Sequence, residues 1–352
     1  MKQLPVLLLA LATAATLQAQ EIVKFKDSAK NPPIEGEIVG LTCKTIEIVT
    51  GGVKQTLDAG RVAEIITSRK SPDYLKGEEA LGKGEFSPAI ERFERVSTDA
   101  RAPEALRQLA SIQTVRCAAA NSDHAGVVQA AQVLRARKAD SFFVNESFAW
   151  EVKSHIALGN GLGATGALRA FAAIAPGNPD VEFLEADFAE SQNNWKGALA
   201  TYRKYLRDPL FAVTAALGEM RCLTAQSDWP GLGAVADDHL KSAMGKRDFS
   251  QRILIAAYTA KGDVDLNGGK AKDALMNYLQ GAIVLNKETS PENETALARS
   301  ALACAKLFAA EKDPPKKARY RTQAQEMRAE LLKLYPKTRY RVDIDNSVQN
   351  LR

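Results

Sequence analysis

Cysteine and histidine are the side chains through which this chain could bind a metal ion or carry out nucleophilic chemistry. Metal sites need Cys, His or carboxylate ligands at short and regular spacings. The 352 residues include four cysteines and three histidines, scattered along the chain: Cys43, Cys117, Cys222, Cys304, His124, His155 and His239. No histidine has a second His, Cys or carboxylate in a recognised ligand pattern. The sequence therefore predicts no metal site, no cofactor and no disulfide scaffold.

A glycine-rich segment is the next candidate for chemistry. Residues 161–166, Gly-Leu-Gly-Ala-Thr-Gly, match the G-x-G-x-x-G fingerprint of dinucleotide binding. That chemistry needs a strand before the first glycine, so that the backbone can bring a pyrophosphate to a helix N-terminus. Here the preceding residues 147–158 have a helical pattern. The segment is therefore predicted to be a turn between two helices.

The sequence also lacks the motifs of hydrolases. It contains no Gly-x-Ser-x-Gly elbow and no phosphate-binding loop. The pairs Glu146-Ser147 and Glu190-Ser191 resemble the catalytic Glu-Ser of lytic transglycosylases, exported enzymes that also use helical arrays. Neither pair is followed by the Gly-Leu-Met-Gln segment of those enzymes. The chain is therefore predicted not to be an enzyme, and a degenerate or cryptic hydrolase is kept as an alternative.

Residues 1–20 predict export. Lys2 precedes an apolar run from Leu4 to Leu17, and small residues follow. This is the layout of a secretory signal peptide, with cleavage expected after Ala19. The run is short for a membrane helix, which needs about 20 apolar residues, and no later segment approaches a span. The mature chain is expected to be periplasmic or secreted, with an uncleaved anchor helix as the alternative.

Composition favours helices packed closely together. Hydrophobic residues make up 45% of the chain and charged residues 25%, the proportions of an ordinary folded protein. This balance excludes a disordered chain, a collagen and a multi-span membrane protein. Only 7% of residues are aromatic, whereas alanine recurs in runs such as residues 118–120.

Positive charge is concentrated near the C-terminus. Residues 312–341 contain ten Lys or Arg against three acidic residues, whereas the whole chain carries a net charge of +5. This segment can be a solvated helix face or a contact for an acidic partner or anionic surface. The residues proposed for such a contact are Lys316, Lys317, Arg319 and Arg321.

Residues 21–67 predict a small β-module. Five short segments are rich in Val, Ile and Thr: Glu21–Lys26, Ile34–Gly40, Lys44–Thr50, Val53–Leu57 and Arg61–Thr67. Gly51 and Gly52 suit a two-residue hairpin turn. Five strands this short cannot bury much apolar surface by themselves, so the sheet is expected to curl into a small barrel. The order and spacing of the strands and turns resemble those of Sm-like or SH3-like barrels. Some of these bind RNA, but an exported chain is not expected to meet nucleic acid, and a structural or protein-contact role is favoured.

Residues 71–335 predict helices that arrive in pairs. Proline occupies many of the predicted helix starts, where a first turn needs no N–H donor: Ser71-Pro72, Ala102-Pro103, Asn178-Pro179, Asp208-Pro209 and Ser290-Pro291. Two further starts, near Asn145 and Asp248, have a capping residue without proline. The starts recur about every 36 residues, a period typical of stacked helical hairpins.

Within these pairs the residues resemble tetratricopeptide repeats. Residues 83–93, from Lys83 to Phe93, look like the turn and second helix of such a repeat, and residues 193–202 are similar. Residues 227–229 and 269–278 continue the pattern, whereas the turn aromatic is missing near His124 and Ala164. The positions that carry the resemblance are Gly84, Phe86, Ala89, Phe93, Trp195, Ala198, Tyr202, Trp229, Ala274 and Tyr278.

The resemblance implies a mainly α fold, an α-α superhelix of about seven hairpins preceded by the five-stranded β-barrel. The expected divisions are a signal peptide (1–20), the barrel (21–67), the repeat array (71–335) and a C-terminal tail (336–352). The barrel is expected to cap the first hairpin, and the helix from Pro314 to Tyr335 the last. In the tail, residues 340–344 are expected to pair as an edge strand.

The predicted hairpins also indicate where three of the cysteines and one tryptophan lie within the repeats. Cys117, Cys222 and Cys304 fall late in first helices of different repeats, too far apart to bridge, which leaves a Cys43–Cys117 disulfide as the remaining possibility. The turn aromatic is expected to fill the angle between paired helices, so that Trp195→Ala costs about 3–5 kcal/mol.

The function implied by the resemblance is that of a non-enzymatic exported adaptor. Its concave face would hold a peptide or protein partner. The alternative is a module that binds peptidoglycan, anionic lipid or glycan through the barrel and the basic C-terminal helix. No membrane span is expected after signal cleavage.

Overall fold

The computed structural model describes residues 21–27, 31–243, 250–285, 289–349 and 351. The predicted signal peptide and the predicted helix start at Asp248 lie outside these residues. The chain divides into two compact units, residues 1–181 and residues 182–352. None of the helices in the described parts of the chain is both long and apolar enough to cross a membrane.

Unit 1 begins with a five-stranded antiparallel sheet. Its strands are β1 (Glu21–Phe25), β2 (Ile34–Leu41), β3 (Thr45–Thr50), β4 (Val53–Asp58) and β5 (Val62–Thr67). They lie in the order β4-β3-β2-β1-β5. Gly51 and Gly52 form the β3–β4 turn with positive φ angles, as the sequence predicts. The β2–β3 register shifts between Ile38 and Gly40, which marks a bulge in β2.

The sheet does not close into the expected barrel. In the described part of the chain β4 pairs only with β3, and β5 pairs only with β1. Five of the six β4 residues are exposed, so this strand has no apolar face to close over a barrel interior. The apolar face of the sheet is instead covered by helices: Ile46, Ile48 and Ile65 share one hydrophobic core with residues of the first four helices.

Fourteen helices form seven consecutive hairpins along the described chain. Their bounds are α1 (Pro72–Gly82), α2 (Phe86–Thr98), α3 (Glu104–Ala120), α4 (His124–Arg137), α5 (Val144–Ala157), α6 (Gly161–Ile174), α7 (Pro179–Ser191), α8 (Trp195–Lys204), α9 (Ala212–Ala225), α10 (Trp229–Ala243), α11 (Gln251–Asn267), α12 (Ala271–Leu279), α13 (Pro291–Ala310) and α14 (Pro314–Leu334). The mainly α architecture and the number of hairpins agree with the sequence prediction.

Proline and its neighbour start several of these helices as expected. Ser71 caps α1 by accepting a hydrogen bond from the Tyr74 N–H, and Ser290 caps α13 in the same way. The Asp208-Pro209 start is displaced, because α9 begins only at Ala212. There the Asp208 carboxylate accepts a hydrogen bond from the Leu210 N–H at 2.8 Å, which stabilises a turn ahead of the helix.

The tight turns within six hairpins share one backbone conformation that the sequence analysis did not predict. Each contains a single residue with positive φ: Gly84, Ser122, Gly159, Asn193, Ser227 and Gly269. In four turns the next residue is Asp or Asn, and its side chain accepts a hydrogen bond from the N–H of a glycine three positions on. These pairs are Asp123–Gly126, Asn160–Gly163, Asn194–Gly197 and Asp228–Gly231. The spacing Asp/Asn-x-x-Gly is the sequence signal that marks these turns.

Two glycines at the first of these turns should respond oppositely to alanine. Gly84 has φ +74°, and an added Cβ would meet nothing within 4 Å, so Gly84→Ala carries only the left-handed backbone strain. We expect it to lower the free energy of unfolding by about 1–2 kcal/mol. Gly82, the last residue of α1, has equal space and an ordinary φ. Gly82→Ala should therefore raise stability by about 0.5–1 kcal/mol. Urea denaturation of both variants is the test, and a shift of the same sign in both would contradict the assigned turn.

The C-terminal tail is helical. Residues Arg341–Ile344 form the short helix α15, followed by a π-helical turn over residues 345–349. The prediction of an edge strand at residues 340–344 is therefore wrong. Ile344 and Val348 are fully buried in the core that α13 and α14 supply, so apolar burial against helices decides the conformation of this segment.

Candidate functional site

The first helices of three hairpins pack side by side in unit 2 and enclose the main candidate site. A cavity of about 390 Å³ is lined by α9, α11, α13 and the segment at residues 339–340. We call it the first-helix groove. Helical spacing brings residues of each helix onto this surface, for example Glu292, Thr295 and Arg299 of α13. The groove is the part of unit 2 where side chains from consecutive repeats converge.

Three arginines of the groove are balanced by carboxylates. Arg252 donates two hydrogen bonds of 2.9 Å to Glu292, a bidentate pair that joins α11 to α13. Arg299 lies 3.4 Å from Asp263, again across α13 and α11. The third, Arg221 of α9, donates to Glu190 of α7 at 2.8 Å. These pairs tie neighbouring hairpins together and leave little free charge on the three helices.

The fourth arginine comes from outside the repeats. Arg339 follows α14, and its guanidinium donates to the Thr295 hydroxyl at 3.1 Å and to the Tyr340 hydroxyl at 2.8 Å. The Tyr340 hydroxyl in turn lies 3.0 Å from the Thr295 hydroxyl. The tail residues thus form one wall of the groove.

A tyrosine, a carboxylate and an arginine recur behind the groove. The buried Tyr278 hydroxyl of α12 donates to Asp263 Oδ1 at 2.7 Å, and Arg299 of the next hairpin lies 3.4 Å from the same oxygen. Burial raises the pKa of Tyr278 and of Asp263, the latter against the lowering influence of Arg299 and Tyr278.

The hairpin of α7 and α8, two repeats earlier, has the same arrangement. The Tyr202 hydroxyl of α8 donates to Glu190 at 2.6 Å and lies 3.0 Å from Asp187. Arg221 donates to the Tyr202 hydroxyl at 3.2 Å. Desolvation and the Asp187 charge raise the pKa of Tyr202. Both tyrosines are therefore neutral hydrogen-bond donors that hold the hairpins together.

The structure separates the predicted repeat positions into two groups. The helix-crossing residues are completely buried: Ala89, Phe93, Ala198, Tyr202, Ala274 and Tyr278. The residues at the turns are more exposed: Gly84 lies in the turn, and Phe86, Trp195 and Trp229 are half-buried at the starts of their helices. Trp195 therefore does not fill the hairpin interior, and the large loss expected for Trp195→Ala belongs to Tyr202.

A glycine opposite each buried ring is the feature that the sequence analysis missed. A Cβ at Gly77 of α1 would lie 2.8 Å from the Phe93 ring, and one at Gly218 of α9 would lie 2.5 Å from the Tyr202 ring. Gly262 of α11 faces the Tyr278 ring in the same way. In Gly77–Phe93 and Gly262–Tyr278 the glycine precedes the ring by 16 residues, a spacing that could have revealed the pairs.

The basic residues predicted to contact an acidic partner lie on α14. None of the four lines the first-helix groove. Lys316 and Arg319 are exposed, and Arg321 is half-buried. Lys316 lies 3.5 Å from Asp313, and the Lys317 ammonium is 4.8 Å from the centre of the Phe308 ring.

The motifs that resemble active sites have structural roles. Gly161–Gly166 forms the first turns of α6, with Gly163 held by the Asn160 cap. The segment is therefore helical and not the predicted turn, which lies just before it at residues 158–160. The carboxylate of Glu146 accepts two hydrogen bonds of 2.8 Å from Arg116. Glu190 is held by Tyr202 and Arg221. Both glutamates thus join neighbouring helices through pairs with arginine.

The cysteines are free thiols. Cys117, Cys222 and Cys304 are buried in α3, α9 and α13, and Cys43 is half-buried. Burial raises the pKa of Cys117 to about 11 and that of Cys304 to about 12, so both are protonated at neutral pH. Among the described residues, no three His, Cys, Asp or Glu side chains form a group that could hold a metal ion.

No protein-family model matches the sequence, and no curated protein matches it either. Solved structures do resemble the fold. A tetratricopeptide repeat protein from Parabacteroides merdae aligns over 74% of this chain and 96% of its own, with 15% identity and a TM-score of 0.50. NprR in complex with its cognate peptide NprX aligns over 79% of this chain and 90% of its own, with 12% identity and a TM-score of 0.44. The second score is too low to support an argument. From the first, together with the seven hairpins, we conclude that the chain has the fold of a tetratricopeptide repeat protein.

Proposed function

We propose that this protein is a non-enzymatic adaptor that binds an extended peptide segment of a partner in the first-helix groove. The observation that carries the proposal is the cavity itself, in which side chains of α9, α11 and α13 converge with the tail. Repeat arrays offer such surfaces for extended ligands. The groove combines apolar residues such as Leu217, Met220 and Ala256 with arginines and hydroxyls. Because Arg339 adds a positive charge whose described hydrogen bonds go to neutral hydroxyls, this mixture suits a peptide that carries both apolar and acidic side chains.

A peptide library tests the proposal. Fluorescein-labelled octapeptides, varied one position at a time, would be titrated with the purified protein and followed by fluorescence anisotropy. We expect selected sequences to bind and acidic residues to be favoured at one or more positions. Ala256→Trp should abolish binding because the indole fills the groove.

A matched substitution controls for the added tryptophan. Ala318 is exposed on α14 and does not line the groove, so Ala318→Trp should leave binding unchanged. Circular dichroism of both variants should equal that of the wild type. Equal binding by the wild type and Ala256→Trp would contradict the assignment of the groove.

We further propose that the protein acts outside the cytoplasm. The support is the sequence of residues 1–20, with Lys2, the apolar run and the small residues before Gln20. Expression of the full chain in a Gram-negative host, followed by fractionation and N-terminal sequencing, tests it. A mature protein that begins at Gln20 in the periplasm is expected, and an uncleaved chain in the cytoplasm would contradict export.

Binding to an anionic cell-envelope surface is the second candidate function. The specific support is the exposure of Lys316 and Arg319 on α14, away from the groove residues. Cosedimentation with peptidoglycan or anionic vesicles should then fall steeply as salt rises. It should also fall when Lys316, Lys317, Arg319 and Arg321 are changed to glutamine together. Binding that ignores both changes would exclude this candidate.

A further inference from the structure

We propose that Arg339, in the tail after the last repeat, binds a carboxylate of the peptide held in the first-helix groove. This inference rests on the proposed function and deepens it, because it names the ligand chemistry at one point of the groove. It also gives the C-terminal tail a role in specificity.

A comparison of the four arginines that line the groove indicates that Arg339 is the one to bind a ligand carboxylate. Arg221, Arg252 and Arg299 each have a carboxylate partner within 4.0 Å. In the described part of the chain Arg339 has no such partner, and its hydrogen bonds go to two neutral hydroxyls. Its positive charge is therefore the one that a ligand would balance. An anion is the complementary ligand, and a charge-assisted bond to a carboxylate is stronger than a neutral one.

The side chain is held in place before any ligand arrives. One guanidinium nitrogen of Arg339 is fixed by Thr295 and Tyr340, and its guanidinium carbon lies 4.9 Å from the centre of the Tyr340 ring. The side chain lines the groove and is otherwise exposed, which leaves further N–H groups for a ligand. Since little side-chain freedom is lost on binding, such an arrangement favours affinity.

The tail that carries Arg339 is itself anchored. On its N-terminal side the Tyr335 hydroxyl donates to the Ser290 carbonyl and accepts from the Ser290 N–H, both at 2.9 Å. On its C-terminal side Asp345 accepts hydrogen bonds from Arg328 and Arg341. These contacts fix both ends of the segment against α13 and α14, so Arg339 is a built part of the groove wall.

The test changes the peptide and the protein in combination, and it measures whether the effect of one change on the affinity depends on the other. The tightest octapeptide from the library would be prepared in two altered forms, one with its acidic side chain changed from Glu to Gln and one with an amidated C-terminus. Each form would be titrated against the wild type, Arg339→Gln and Tyr340→Phe. Lys337→Gln is the matched control, because Lys337 is an exposed cation of the same segment outside the groove.

For the wild type, we expect one of the two altered peptides to bind about tenfold more weakly, which identifies the source of the carboxylate. Arg339→Gln should weaken the original peptide about tenfold and remove the difference between the peptides, a change that a purely structural role would not produce. Tyr340→Phe should have a smaller effect, and Lys337→Gln should behave as the wild type.

Two results would overturn the inference, and they are distinguishable. If the wild type binds a peptide and Arg339→Gln keeps the full preference for the carboxylate, Arg339 is not the contact, although the groove still binds peptides. If the wild type binds no peptide of the library, the proposed function fails, and this inference fails with it.

Discussion

Replacing Tyr202 by alanine should lower the free energy of unfolding by about 3–5 kcal/mol, the cost of deleting a large buried aromatic side chain. The ring is completely buried and lies against Gly218, whose missing Cβ makes room for it. The variant also removes a hydroxyl that donates to Glu190 at 2.6 Å. The carboxylates of Glu190 and Asp187 would then lose the hydroxyl that contacts both of them.

Trp195→Ala is the comparison that tests this packing. Trp195 is half-buried at the start of α8, so its loss should cost only about 1–2 kcal/mol. Tyr202→Phe isolates the hydroxyl and should cost about 1–3 kcal/mol, since it removes a donor from the partly buried carboxylates of Asp187 and Glu190. Urea denaturation followed by circular dichroism measures all three. A larger loss for Trp195→Ala than for Tyr202→Ala would contradict the assignment.

Glu151→Ala should be comparably damaging in unit 1, by about 3–5 kcal/mol. The Glu151 side chain is 5% exposed and pairs with Arg135, which is 15% exposed. Arg135 also donates to Ser147 at 3.1 Å and lies 3.9 Å from the centre of the Phe148 ring. Removing the carboxylate leaves a guanidinium buried without its counter-ion, which is the origin of the large cost.

A double variant separates the unpaired charge from the value of the pair. Arg135→Met combined with Glu151→Leu removes both charges and keeps apolar volume, so it should recover most of the stability lost in Glu151→Ala. Denaturant unfolding of the single and double variants provides the measurement. A double variant less stable than Glu151→Ala would show that the ion pair itself, and not the unpaired arginine, dominates.

Much of the candidate site could not be predicted from the sequence. Consecutive members of the set Arg221, Arg252, Arg299 and Arg339 lie between 31 and 47 residues apart along the chain, with no motif that connects them. They meet because α9, α11 and α13 pack side by side and because the tail folds back onto α13. The predicted basic cluster on α14 was visible as a run of charge, but a run of charge on one helix is not a cavity.

What the sequence by itself determined is the local structure that repeats. Helix starts at Ser71 and Ser290, the β3–β4 turn at Gly51 and Gly52, and the period of the hairpins depend on caps, backbone freedom and spacing. These causes act within a few residues of one another, so they can be recognised without the fold.

Only the tertiary structure decided which surfaces these elements bury. It left the sheet open because helices cover its apolar face, and it made residues 341–344 helical because Ile344 enters a helical core. It also left Trp195 half-buried at the edge of a core that encloses Tyr202 completely. Burial depends on residues distant in the chain, and for that reason the groove and the Arg339 side chain that lines it appear only in the folded molecule.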